Sequence, residues 1–413
     1  MAVSEFQKRQ DERNKAREAA RQERQEEKEK LQRIRERQEQ MRELAHGPVD
    51  TPFFVLVCLL SAIGLIMLFS ASFPSSYYES GNPFSYVIRQ AAFMALGFAG
   101  MLFLGKMNYL RYRAVSRLAM LAAVVLLILV IVPGVGITAN NATRWLGVPG
   151  TELQFQPSEL AKLAVVLYFA DSISKKREQM RTLRHGILPY VFWLGIIAGL
   201  MWMQPHLSGM VLIVATGGIM MLVGGIHWLW LAVGAGGVVA AGYVIFEVIG
   251  YNVSRLEMWK NPWLDYYGDG YQLVQSYLAI GSGGLLGVGL GKSRQKYLYL
   301  PEEHNDFIFA IVCEELGLIG ATIIMILFAA LILRGYWIAL HARDRFGSLL
   351  VVGVVTLIGL QIFLNIAVVS GLVPTTGISL PFFSYGGSAL TIQLASMGFV
   401  LSVSRQMKPT KSG

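Results

Sequence analysis

Ten apolar stretches run through the 413-residue chain, each near the roughly 20 residues that a helix needs to cross a bilayer. They fall at about 52–71, 86–105, 115–134, 157–174, 186–203, 208–225, 227–248, 306–333, 347–370 and 385–404. The turns around 204–208 and 225–227 are so short that nine or eleven segments are alternatives. Hydrophobic residues make up 54% of the chain, charged residues only 15%, and the mean hydropathy is +0.47. The expected fold class is therefore an all-α polytopic membrane protein with about ten transmembrane helices.

The formal net charge of +9 is carried mostly by loops, so it reads as membrane orientation and not as nucleic-acid binding. Basic residues cluster in alternate loops: Lys106, Arg111, Arg113 and Arg117; Lys175, Lys176, Arg177, Arg181 and Arg184; Arg334, Arg343 and Arg345; and Arg405, Lys408 and Lys411 at the end. The intervening short loops, 72–85 and 371–384, contain no Lys or Arg. Both termini are thus expected on the cytoplasmic side, with one long outer loop, about 249–305, between the seventh and eighth helices. The domain organisation expected is a charged N-terminal arm over 1–50, a transmembrane domain over 51–405 with that loop inside it, and a cytoplasmic tail over 406–413. The arm is nearly balanced in basic and acidic residues, keeps no heptad, and is no signal peptide. It reads as a solvated, partly helical segment, or as a docking site for a partner. Cys58 and Cys313 both lie in apolar runs and form no disulfide framework.

With this orientation, the unusual polar residues gather at the outer mouths of inward-running helices. Arg89 opens the second, Gln156-Pro157-Ser158-Glu159 the fourth with Lys162 one turn on, Gln204-Pro205-His206 the sixth, Asp306 the eighth, and Ser384-Tyr385-Gly386-Gly387 the tenth. Ionisable residues in membrane helices are costly, which makes them functional candidates. Asp306, placed at a helix start, would face the positive dipole end and stay ionised, suited to act as a general base. Glu314 and Glu315 lie deeper on the same helix and read as packing acids. Glu159 and Lys162, three apart, form an internal ion pair or hold a phosphate or sugar. Arg144, beside Trp145, binds diphosphate or seats its loop. The outer-loop cations Lys292, Arg294 and Lys296 read as solvated surface or as contacts to an anionic ligand or lipid headgroup. The preceding GSGGLLGVGLG run lacks the βαβ context of a dinucleotide site and reads as flexible turns. His206 has no Cys/His cluster around it that would mark a metal site.

Several motifs carry a resemblance over about 52–405. They are RWLG at 144–147, QPSELAKL from Gln156, NPWLDYYGDGYQLVQS from Asn261, LPEEHNDFIFAIVCEELG from Leu300, and NIAVVSGLVPTTGISLPFFSYGGSA from Asn365. The chain resembles the SEDS family (shape, elongation, division and sporulation), most closely its FtsW and SpoVE branch, to which GVGLGKSRQK is also similar. The resemblance implies a membrane glycosyltransferase that polymerises lipid II into β-1,4 glycan strands on the outer face of the bacterial cytoplasmic membrane, in septal wall synthesis. A sporulation or elongation role, a lipid II flippase and a non-catalytic division scaffold are the alternatives. It further implies Asp306 as the catalytic residue of an inverting reaction. Arg144, Glu159, Lys162 and Ser384 become substrate-binding residues, with Lys292, Arg294 and Lys296 available to the undecaprenyl diphosphate. The partners implied are lipid II, the undecaprenyl-diphosphate-linked glycan, membrane lipid, a class B penicillin-binding protein and other division proteins. No cofactor is implied, and no motif fixes a divalent-cation requirement. Two positions depart from the pattern: His206 stands where many relatives carry an acid, and Thr376 where some carry Lys.

Overall fold

A computed structural model describes residue 32 and residues 47–139, 142–147, 154–243 and 253–407. The expected arm, save residue 32 and its last four positions, lies outside the described residues, as do 408–413 of the tail and 244–252. The chain divides after Pro48, and the unit from Val49 onward forms the helical body.

Each of the ten apolar stretches contains a helix: α1 (Thr51–Ser80), α2 (Ser85–Lys106), α3 (Tyr112–Ile131), α4 (Pro157–Lys176), α5 (Leu188–Met203), α6 (Leu207–Val223), α7 (Trp228–Tyr243), α10 (Ile308–Leu340), α11 (Arg345–Val369) and α12 (Gly387–Ser404). Seven of the described segments are long and apolar enough to cross a membrane. The other three miss that standard for physical reasons. Glu159, Lys162, Asp171, Lys175 and Lys176 charge α4, while α6 and α7 have only 17 and 16 residues. Asp50 caps α1 by accepting from Phe53 N–H at 2.9 Å, and Asp344 caps α11 by accepting from Gly347 N–H at 2.9 Å.

The fold is mostly helical, as expected, and it also holds an antiparallel sheet of order β1-β2-β3 that joins α3 to α4: β1 (Gly136–Ala139), β2 (Ala142–Gly147) and β3 (Gln154–Phe155). β-branched and aromatic residues fill it, with Ile137 opposite Trp145 and Leu146 opposite Phe155. The long loop before α10 holds α8 (Val253–Lys260), a 3₁₀ turn (Pro262–Asp265) and α9 (Tyr271–Gly283). Finally, α10 begins at Ile308, so Asp306 sits in the turn ahead of the helix and not inside it.

The core centres on α11, whose apolar span is 72% buried against 22% for α2. Around it pack α4, α6, α10 and α12, while α2 lies along α12 at the periphery. Those two helices approach closely through small residues, as membrane helices commonly do. A Cβ on Gly398 would come within 2.6 Å of the Met101 carbonyl oxygen, and one on Gly97 within 2.9 Å of Leu394 Cβ.

Gly398→Leu is expected to separate α2 from α12 and to destabilise the protein by about 1–3 kcal/mol, the usual range for overpacking a close contact. Thermal unfolding in detergent measures it. An unchanged melting temperature would show that the two helices tolerate a wider spacing.

Candidate functional site

The turn that precedes α10 is held carbonyl by carbonyl. Tyr385 N–H donates to His304 O at 2.9 Å, the Ser384 hydroxyl to Asn305 O at 2.7 Å, and the Asn365 amide to Asp306 O at 2.8 Å. Asn365 is fully buried on α11 and donates a second bond, 2.6 Å long, to Ile378 O. Ser384 is fixed in turn, its hydroxyl accepting from Leu380 N–H at 2.7 Å and its carbonyl accepting from the Gln90 amide at 2.9 Å. Gly377, at φ +67°, lies under the catalytic candidate, and a Cβ there would stand 3.2 Å from Asp306 Oδ2. The 374–387 segment and the Asn365 side chain together therefore present the Asp306 carboxyl in one place.

That carboxyl lines a cavity of about 930 Å³ at one end of the helical body. Arg89 and Phe93 of α2, Arg144 and Trp145 of β2, Glu159 and Lys162 of α4 and the 206–209 turn line it too, with Asp269, Tyr271 and Glu302 on the side of the long loop. Burial in the wall raises the Asp306 carboxyl to about 6; Glu302 adds to the shift, and Arg144 and His304 oppose it. A dipole-stabilised, readily ionised acid was the sequence expectation; leaving the helix for a buried turn reverses the direction. Lys162 and Glu159 form a 2.7 Å ion pair, both side chains under a tenth exposed. Arg144 reaches across from β2 to the carbonyls of Gln204 and Pro205, so it ties the sheet to the turn between α5 and α6. Among the described residues no cluster of His, Cys, Asp and Glu could hold a metal ion.

The cavity thus brings together Asp306, Arg144, Glu159 and Lys162, which lie far apart in sequence. It excludes four other candidates. Lys296 points away from the cavity into the protein, where its ammonium meets Glu315 at 3.0 Å and the Ser70 hydroxyl at 3.1 Å, with the two charged side chains only 3% and 0% exposed. Lys292 and Arg294 are exposed and line no part of the cavity. Ser384 acts on the backbone, as described above, and is not among the lining residues. The reason lies in the glycine-rich segment after α9, which is not a flexible loop but packs against the first half of α10. Val288 and Gly289 N–H groups donate to Glu314 O and Glu315 O, and Leu318 and Ile319 N–H groups donate to Gly284 O and Leu285 O. Gly317, at φ +66°, breaks α10 there and supplies the orphan backbone groups. Glu314 caps the returning strand of chain, accepting from Arg294 N–H at 2.9 Å and from the Ser293 hydroxyl. Glu314 and Glu315 are structural acids, and the cations beside them are held away from the cavity.

Of the residues that sequence reading did not single out as site residues, Arg89, Glu302 and Asp269 line the cavity, and so do both departures from the family pattern, His206 and Thr376. Arg89 had a usable signal, a cation at a helix mouth; Asp269 and Glu302 had none beyond lying inside long motifs.

Comparisons with known proteins give a family and a fold. The profile of the FtsW/RodA/SpoVE family, described as "Cell cycle protein", matches residues 50–409. Stage V sporulation protein E of Bacillus subtilis (strain 168) is 42% identical over 363 residues, covering 86% of this chain and 97% of that protein. "Probable peptidoglycan glycosyltransferase FtsW" of Geobacter metallireducens is 38% identical over 365 residues, covering 87% and 96%. Among solved structures, one described as "Structural coordination of polymerization and crosslinking by a peptidoglycan synthase complex" aligns with a TM-score of 0.72 at 28% identity over 87% of this chain and 98% of the other. The rod shape determining protein RodA of Thermus thermophilus aligns with a TM-score of 0.65 at 27% identity, over 88% and 99%.

The Lys296–Glu315 pair predicts a stability phenotype. Removing one partner of a buried ion pair strands the other, so Lys296→Met is expected to cost about 3–5 kcal/mol, and the double change with Glu315→Met to recover most of it. Thermal unfolding of the three proteins checks this; a single variant as stable as wild type would return Lys296 to the set of ligand contacts.

Proposed function

The chain belongs to the FtsW/RodA/SpoVE family of cell cycle proteins, and from that premise we propose that it is a peptidoglycan glycosyltransferase, polymerising lipid II during cell division. The observation that carries the reading is the Asp306 carboxyl, raised by burial to about 6 and set in a cavity wall that also carries Arg89, Arg144 and Lys162. In the proposed orientation about ten helices span the membrane, both termini are cytoplasmic and the cavity opens outward, where the sugars of a lipid-linked substrate lie.

Each turnover forms one bond and breaks one. The 4-hydroxyl oxygen of the acceptor sugar attacks the anomeric carbon of the donor, and the bond from that carbon to the diphosphate oxygen breaks. Asp306 takes the hydroxyl proton as general base. The diphosphate leaves with the bonding electron pair, and cations in the wall stabilise the charge that develops on it. An α-linked donor yields a β link in one displacement, so a single base is enough and no covalent intermediate forms. Glu159 holds Lys162 in place through their 2.7 Å pair.

The likeness to a peptidoglycan synthase complex supports a class B penicillin-binding protein as the working partner, which would cross-link the strands made here. Septal localisation of a fluorescent fusion distinguishes a division role from a sporulation or elongation one.

Asp306→Ala is expected to lower lipid II polymerisation about 10²–10⁴-fold, the usual weight of a general base, with expression and melting temperature retained. Labelled lipid II and purified protein in liposomes, with and without the transpeptidase, test this; wild-type rates from the variant would sink the assignment. The same assay predicts a pH profile. The base works only when ionised, so the rate rises with pH, is half-maximal near 6, and is flat above about 7. A profile that falls over that interval would mean that the group is needed in its protonated form.

A further inference from the structure

The segment that joins α8 to α9 leaves large apolar rings uncovered beside the cavity. Trp263, Leu264 and Tyr267 are 55%, 72% and 90% exposed. Such side chains clustered at a surface mark a place where something binds. Here the rings form a row. Tyr271 lines the cavity, Tyr266 meets it edge-on with centroids 6.2 Å apart, and Trp263 stacks on Tyr266 at 6.1 Å with 20° between the planes. Tyr267 stands edge-on to Tyr266 at 4.8 Å. The row therefore leads from the cavity wall to the open surface. Its backbone is fixed: Asn261 Oδ1 accepts from Trp263 N–H at 3.3 Å, Asp265 Oδ2 accepts from Asp269 N–H at 3.1 Å, and Asp265 O accepts from Gly270 N–H at 3.2 Å.

The position of α9 decides which medium the row faces. Near its start, Gln272 donates to Pro301 O at 3.2 Å; Ser276 donates to Val369 O, at the end of α11, at 2.8 Å; and Gly283 packs against Cys313 of α10. α9 thus descends beside the first turns of α10. Tyr271 lies five residues before Ser276, about 7 Å beyond the end of α11 at 1.5 Å per residue. In the proposed orientation the row is on the outer, aqueous side, beyond the acyl chains.

Charge selects the occupant. The cations of the cavity, Arg89, Arg144 and Lys162, stand on α2, β2 and α4, whereas the long-loop side carries Asp269 and Glu302. Carboxylates repel a diphosphate but accept hydrogen bonds from sugar hydroxyls. Aromatic faces pack against the C–H faces of pyranose rings, and successive rings in a row suit successive sugars of one chain. We propose that Trp263, Tyr266 and Tyr267 form a shelf that binds the sugars of the growing glycan strand as they leave the cavity. The shelf deepens the glycosyltransferase reading and rests on it. A strand held there stays close to Asp306 between couplings, so more sugars are added before it departs.

The test uses full-length protein in nanodiscs, with two measurements: binding of a lipid-free β-1,4 GlcNAc–MurNAc octasaccharide, and the length of the strands made from lipid II. Trp263→Leu and Tyr267→Leu together are expected to raise the Kd for the octasaccharide about fivefold or more and to shorten the mean strand about threefold, the weight of one or two lost ring contacts. Trp263→Phe keeps a ring and is expected to hold both values within about twofold of wild type. That rescue is not the behaviour of a residue needed only for packing, and melting temperatures compared across the set identify any variant that fails to assemble. If the double variant does not assemble, Tyr267→Leu, at the most exposed ring, decides the matter by itself. Unchanged Kd and strand length overturn the proposal. So does wild-type protein that polymerises lipid II but binds no octasaccharide, and so does a variant that loses only its response to the transpeptidase, which would make the shelf a protein contact. Wild-type protein that binds the octasaccharide but forms no glycan overturns the proposed function and leaves the shelf standing; wild-type protein that does neither overturns both.

Discussion

Three consecutive carbonyl oxygens, those of His304, Asn305 and Asp306, are each engaged by a different donor, and the site depends on that arrangement. A turn at a helix entrance has several backbone groups without helical partners, and in an apolar setting each must be satisfied by something else. Here the donors are a backbone N–H and a hydroxyl from the segment before α12, and a fully buried amide on α11, the central helix. The catalytic candidate is thereby referenced to the central helix and not only to the end of its own. Without that anchoring, a half-buried carboxyl at a loop would turn to solvent, and the raised pKa that fits it to proton transfer near neutrality would be lost.

A second constraint governs the long loop. Its glycine-rich segment lies against α10 so closely that glycine is the only residue accommodated where the two backbones meet. A Cβ on Gly283 would stand 2.0 Å from Cys313 O, and one on Gly287 2.1 Å from Glu315 O. The contact breaks α10 at Gly317, and the backbone groups set free bond across to the loop. Burying Glu315 in this contact requires a counter-charge, and Lys296 supplies it. A cation that looks available in the sequence is thus committed to holding the loop, while Arg89, forty-odd positions upstream of the sheet and outside every motif, lines the cavity.

Much of the molecule was legible before any coordinates. Each of the ten apolar runs coincides with a helix among the described residues, since a 20-residue stretch in lipid has few ways to satisfy its backbone other than an α-helix. Glu314 and Glu315 bond to the backbone of the long loop and to Lys296, and Asp306 lines one cavity with the Glu159–Lys162 pair. The three-stranded sheet was missed because its strands are two to six residues long, below the length at which alternation is distinct from noise. Helices α8 and α9 were missed because a hydropathy reading looks for spanning segments, and both are shorter than one.

Sequence by itself determined the class of fold and the family, because hydrophobic length and motif spacing are local properties that one chain displays directly. Tertiary structure alone decided which charges share the cavity and what state they are in. Proximity between residues as distant as Arg144, His206 and Asp306 follows from how helices and sheet pack, and a carboxyl's pKa follows from what surrounds it in space. The same packing paired Lys296 with Glu315 and gave Ser384 a backbone task.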